Sequence, residues 1–111
     1  MDALAAAPDT LPTTYRDPAP FTVAAHDHEL SFYPAGLDRR AALLALIDGA
    51  AASLDVCFYI FAEDASGIVV RDALVAAARR GVRVRVMIDG FGSNHTRASF
   101  FDPLRAAGGE F

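Results

Sequence analysis

From Val82 to Ile88 the chain alternates strictly. Val82, Val84, Val86 and Ile88 are set against Arg83, Arg85 and Met87, the two-residue period of a strand with one apolar and one more polar face. The segment before it changes period. Val70, Ala73, Leu74 and Ala77 fall on one stripe of a helix, and the spacing predicts a helix over 66–80. Asp64 or Ser66 is placed to cap its exposed amides, Arg79 and Arg80 suit the negative end of its dipole, and Gly81 suits its C-terminal stop. Upstream, LDVCFYIF (54–61) is apolar at almost every position and rich in branched and aromatic residues. That composition predicts a strand buried on both faces of a parallel sheet. Strand, helix and strand make one βαβ unit, whose crossover is expected to be right-handed.

Around this unit the pattern is less regular. Leu43, Leu46, Ile47 and Ala50 follow Asp38 at helical spacing, which predicts a helix over 38–52 capped by Asp38. FTVAAHDHELSFYP contains two short extended pieces on either side of His26-Asp27, as in a hairpin or edge strand. Downstream, Asn94 or Thr96 is expected to cap a short helix, Pro103 to break it near Asp102, and Gly108 to end a last turn. A third strand is expected to start at GGEF. Residues 1–20 read as a flexible, proline-rich leader and 21–111 as the folded part. The fold class is α/β, with a βαβ-containing parallel or mixed sheet of two or three strands that is incomplete as it stands.

Composition narrows the function classes. With 111 residues and 53% apolar content the chain can bury one modest core. A net charge of -4 gives no overall pull toward nucleic acid or an anionic membrane, so no nucleic-acid partner is expected. All ten basic residues are arginine, and there is no lysine. The lone Cys57 excludes an internal disulfide and, inside an apolar run, reads as a buried structural thiol. The opening lacks the basic start and apolar core of a secretory signal. No run of about 18 apolar residues is present to span a bilayer, so a soluble, cytoplasmic chain is expected.

The turn DGFGSN after the second strand places Gly90 and Gly92 two apart. His95 stands where a dinucleotide fingerprint needs a third glycine, and no Gly-Lys pair exists for a phosphate loop. Asp89 nonetheless sits at the carboxyl end of a strand, where ligands of open α/β sheets bind; the competing role for its carboxylate is to cap the glycine turn. His26 and His28 have ligand-like spacing but lack further ligands, so no metal site is expected. Tyr59 and Phe61, on one face by alternation, are core residues or an apolar substrate wall. Arg83 and Arg85 read as stems along the sheet with their heads in water rather than as phosphate contacts.

Taken together, AAASLDVCFYIFAEDASG followed by IVVRDALVAAARRGVRVRVMIDGFGS, and then FFDPLRAAGGEF, closely resembles the start of a phospholipase D superfamily domain, and is most like bacterial cardiolipin synthases. In that family an aromatic-rich strand, an acidic-Gly linker, an "AL..AA.RGV.V" junction and a "D..GS" turn come in this order. The resemblance implies phosphodiester chemistry without metal or cofactor. A histidine of an HxKxxxxD motif attacks phosphorus, a second acts as acid and base, and lysines hold the phosphate oxygens. HTRASFFD fits the spacing, with His95, Arg97 in the lysine position and Asp102. Arginine is not a compact ammonium, and the family's motif follows a further strand, so the fit reads as coincidence and no residue here is assigned as catalytic. The chain is then the incomplete first half of a phospholipase D-type domain, inactive alone. Tyr59, Phe61, Asp89 and Asn94 are the candidates for a substrate-binding rim. The implied partners are a phospholipid substrate in the complete protein, the second half of the domain or another copy of the chain, and peripheral contact with the inner membrane. A nuclease of the same fold and a non-enzymatic interaction module are the alternatives.

Overall fold

A computed structural model describes residues 14–111. The expected leader therefore lies outside the described residues as far as residue 13, and residues 14–20 are exposed without helix or strand. The described residues divide into two compact units, one up to Asp38 and the other Arg39–Phe111.

The first unit contains the expected hairpin. Strands β1 (Phe21–Ala25) and β2 (His28–Phe32) pair antiparallel, with Phe21 opposite Phe32 and Val23 opposite Leu30. His26 has φ 53°, the left-handed geometry that a two-residue hairpin turn requires. The rings of Phe21 and Phe32 stack with centroids 5.1 Å apart.

The second unit is built on β3 (Ser53–Phe58), α2 (Ala65–Arg79) and β4 (Arg83–Ile88), preceded by α1 (Gly36–Gly49). β3 and β4 are parallel, in register from Ser53 beside Arg83 to Phe58 beside Ile88. The predicted βαβ unit is therefore present. Asp64 caps α2 by accepting the Gly67 N–H at 2.8 Å, and Gly81, at φ 93°, supplies the left-handed residue that lets the chain leave the helix. Val82, Val84 and Val86 are buried while Arg83, Arg85 and Met87 are exposed, as the alternation predicts.

Several expectations need correction. Asp38 lies inside the first turn of α1, not before it, so its charge can act only on the helix dipole. Leu46 is 71% exposed, and Leu44 joins Leu43, Ile47 and Ala50 at the core in its place. At about 100° per residue, Leu46 falls on the far side of Ile47 from Leu44. Finally, β3 is not buried on both faces: Leu54, Val56 and Phe58 pack on the core, but Asp55 and Cys57 are exposed. Cys57 is therefore not a buried thiol. α1, α2 and the C-terminal helices all contribute to a single cluster with Leu54, Val56, Phe58, Val84 and Val86, while Asp55, Cys57, Arg83, Arg85 and Met87 of the other parity are exposed.

After β4 a 3-10 helix (Ala98–Phe101) runs into α3 (Asp102–Ala106), with Pro103 in its first turn and Gly108 at φ 93° behind it. Neither Asn94 nor Thr96 caps this segment: Arg97 holds the cap position, and its side chain makes no capping bond. Phe101 is fully buried against Phe61 (5.0 Å), Phe100 (5.2 Å) and Phe111 (4.2 Å). Glu110 forms a parallel bridge to Arg85; its N–H donates to Val84 O and its carbonyl accepts from Val86 N–H, each at 2.9 Å. The expected third strand is present as this single bridge.

Candidate functional site

The carboxyl ends of β3 and β4 carry the sequence's site candidates. β4 ends at Ile88, and Asp89 begins the glycine turn. Its Oδ1 accepts the N–H groups of Phe91 (2.9 Å) and Gly92 (2.8 Å), and its carbonyl accepts Ser93 N–H at 2.9 Å. The carboxylate thus caps its own turn, the second of the two roles weighed for it. Gly92 is there for a steric reason: a Cβ at this position would lie 2.4 Å from Tyr59 O. The turn passes that close because it is stitched to the chain leaving β3.

Ser93, only 5% exposed, makes the central stitch. Its Oγ accepts Phe61 N–H at 3.0 Å and donates to Tyr59 O at 2.9 Å. Two polar groups of a backbone that has left its strand are thereby satisfied. Thr96 Oγ1 donates to Phe61 O. One step further out, Arg97 N–H donates to Glu63 Oε1 at 2.6 Å and its guanidinium to Oε2 at 2.9 Å. The guanidinium and backbone bonds from Arg97 hold the Glu63 carboxyl below the usual glutamate range. Residues 89–97 and 59–63 therefore form one clamped rim. Periodicity gave no signal for Ser93, Thr96 or the Glu63–Arg97 pair, because each acts on residues more than thirty positions away; the available cue was the serine of the "D..GS" turn.

The structure separates the four rim candidates. Tyr59 is 60% exposed and Phe61 is 5% exposed, so they do not share a face. β3 ends at Phe58, and the two-residue alternation does not extend past it. Phe61 is a core residue, edge-on to Phe58 at 5.6 Å, whereas Tyr59 stays at the surface with its ring against Gly92. Asn94 and His95 are exposed on the turn. Beside the rim, at the start of α2, lies an open depression of about 310 Å³ lined mainly by Leu43, Phe58, Ile60, Phe61 and Val70.

The HTRASFFD match does not assemble as a reacting group. Arg97 is bound to Glu63, Asp102 pairs with Arg105 at 3.0 Å, and Phe100 and Phe101 between them are core. His26 and His28 are exposed on the hairpin, and no group of three or more metal-ligating side chains occurs among the described residues. Arg85 donates to Asp55 at 2.7 Å, and this bond holds the Asp55 carboxyl below its ordinary range.

A family model described as cardiolipin synthase, PLD-like domain, matches residues 43–110. The major cardiolipin synthase ClsA of Bacillus subtilis (strain 168) is 38% identical over 87 residues, which are 78% of this chain and 18% of that protein. Cardiolipin synthase 1 of Bacillus cereus is 41% identical over 66 residues, 60% of this chain and 13% of that protein. Cardiolipin synthase C of Escherichia coli (strain K12) is 42% identical over 66 residues, 58% and 14% respectively. The chain thus spans less than a fifth of the length of these curated relatives. No solved structure matches it.

Proposed function

The chain belongs to the family of cardiolipin synthase, phospholipase D-like domains, and from that premise we propose that it is the opening strand–helix–strand portion of a phosphatidyltransferase domain, building the rim of a phospholipid site and not performing the transfer alone. The observation that carries the reading is the clamp of Ser93, Thr96 and Arg97 onto residues 59–63, which fixes the strand ends where an open α/β sheet takes its ligand. In the complete protein the transfer would proceed through a nucleophilic histidine, with lysines on the phosphate oxygens. These 111 residues contain no lysine, and His95 has no base or phosphate-holding partner in the match around it. The substrate would be a phosphatidylglycerol-type lipid, reached through peripheral membrane contact; no helix among the described residues is long and apolar enough to cross a membrane.

A chimera tests this directly. The aligned 87-residue stretch of the B. subtilis synthase is replaced by this chain's residues, and cardiolipin formed from phosphatidylglycerol is measured by lipid chromatography. The folded chimera should make cardiolipin, while the isolated chain should give no turnover above buffer. A well-folded chimera without product, or turnover by the isolated chain that is lost in His95→Ala, would overturn the reading.

A further inference from the structure

We propose that Glu63 is a positioning residue for lipid binding: acting through Arg97, it holds the turn that carries Asn94 and His95 in place at the strand ends. The proposal rests on the phosphatidyltransferase reading above and assigns a task within that site. The segments leaving β3 and β4 stay joined past the end of the ladder, and the contacts come in sequence order. Asp89 N–H donates to Phe58 O at 3.0 Å, Ser93 bonds Tyr59 and Phe61, Thr96 bonds Phe61, and Arg97 bonds Glu63. In the two middle contacts a hydroxyl of the turn reaches the backbone leaving β3. The last reverses the direction, since a side chain of the β3 segment takes a backbone N–H from the turn. Both carboxylate oxygens are engaged: Oε1 accepts Arg97 N–H at 2.6 Å, and Oε2 accepts the guanidinium at 2.9 Å.

What lies between the fastenings gives the last one its consequence. Thr96 N–H donates to Ser93 O at 2.9 Å, which closes a β-turn with Asn94 and His95 at its corners, both exposed. Ser93 ties down one end of this turn. Arg97 stands directly after the other end, at the cap position of the 3-10 helix whose Phe100 and Phe101 are core. The side chain of Glu63 is 20% exposed and that of Arg97 77%, so the carboxylate is the anchor and the arginine is what it holds. An exposed ion pair by itself contributes little. Here a charge-assisted bond from a backbone N–H is added to it, and that bond sets the path of the chain. The neighbouring carboxylate, Asp64, is engaged with Gly67 N–H at the start of α2, so it does not duplicate the role.

The chimera reads this as a split between KM and kcat. Glu63→Ala should raise KM for phosphatidylglycerol on the order of tenfold and leave kcat within about twofold, because a displaced rim weakens binding without touching the reacting groups. A variant that merely folds less well would lose active enzyme instead, lowering the apparent kcat at unchanged KM. Glu63→Gln, whose amide oxygen can still accept the Arg97 N–H, and Arg97→Ala, which keeps that N–H, should each give an intermediate KM. In the full 111-residue chain, Glu63→Ala should quicken amide exchange at Arg97 more than anywhere in α2. An active chimera in which Glu63→Ala leaves KM unchanged, whatever happens to kcat, would overturn the proposal, as would an Arg97 amide equally protected in both chains. A parent chimera that folds but makes no product overturns the proposed function itself, and this inference with it.

Discussion

The pairs β1–β2 and β3–β4 are both two-stranded sheets, of five-residue and six-residue strands respectively. In the first, every residue but Ala25 is exposed, including Phe21, Val23, Leu30 and Phe32. In the second, Val84 and Val86 are buried and Leu54, Val56 and Phe58 pack beside them on one core. Strand formation follows the same local rules in both: a two-residue period, and a turn or crossover that fixes register. Burial differs because antiparallel strands can close with a two-residue turn, whereas parallel strands need a crossover, here α2, and the crossover lays a helix on the sheet. The parallel pair therefore acquires a core as a by-product of its own connection. The hairpin's two-residue turn brings no such layer with it, and an isolated two-stranded hairpin is marginally stable at best.

The largest way to break this contrast is Val84→Asp. Val84 is 1% exposed at the centre of the core, and an unpaired carboxylate there should cost about 4 kcal/mol or more. That approaches the whole stability of a small domain, about 5 kcal/mol at its lower end. The expected outcome is loss of the cooperative thermal transition measured by circular dichroism. A retained transition would mean that β4 is not the centre of the fold.

What the sequence made legible follows the same division. Val82, Val84 and Val86 against Arg83 and Arg85 located β4 and its buried face, and Asp64 and Gly81 bracketed α2 almost to the residue, because capping and alternation are local. LDVCFYIF misled for an equally physical reason. With Cys57 counted as apolar, the outward parity held one polar residue, Asp55, too little to reveal that Asp55 and Cys57 are exposed in the described structure. The placement of Tyr59 and Phe61 failed because alternation says where side chains point within a strand and nothing of where the strand stops. Asp89 was readable as a turn cap, since its partners are two and three residues away. The Ser93 stitch joins backbone groups 32 and 34 positions distant, and no periodic pattern reports a tertiary hydrogen bond.

That stitch gives the intermediate test. Ser93→Ala leaves the buried Phe61 N–H without its acceptor and Tyr59 O without its donor, at a cost of about 1–3 kcal/mol. The melt should remain cooperative but shift downward, and amide exchange should quicken at Phe61 before it does in α2. If the melt and the Phe61 amide are both unchanged, the rim is held by Thr96 and the Glu63–Arg97 pair instead.

The smallest effect is expected where the comparison began. Phe21→Ala removes a stacked ring whose partner, Phe32, is itself 44% exposed. Such a pair contributes about 0.5–1.5 kcal/mol beyond its area when well formed, but that energy acts on the hairpin's own opening. The cooperative melt reports the buried core, so it should move by less than about 0.5 kcal/mol, the scale of surface substitutions. Amide exchange in β1 and β2 should nonetheless accelerate, because stability is distributed locally and the ring stack joins the two strands. A shift of the main melt as large as that of Ser93→Ala would put the Phe21–Phe32 pair among the interactions that hold the core, and the two strand pairs would then differ in burial without differing in energetic role.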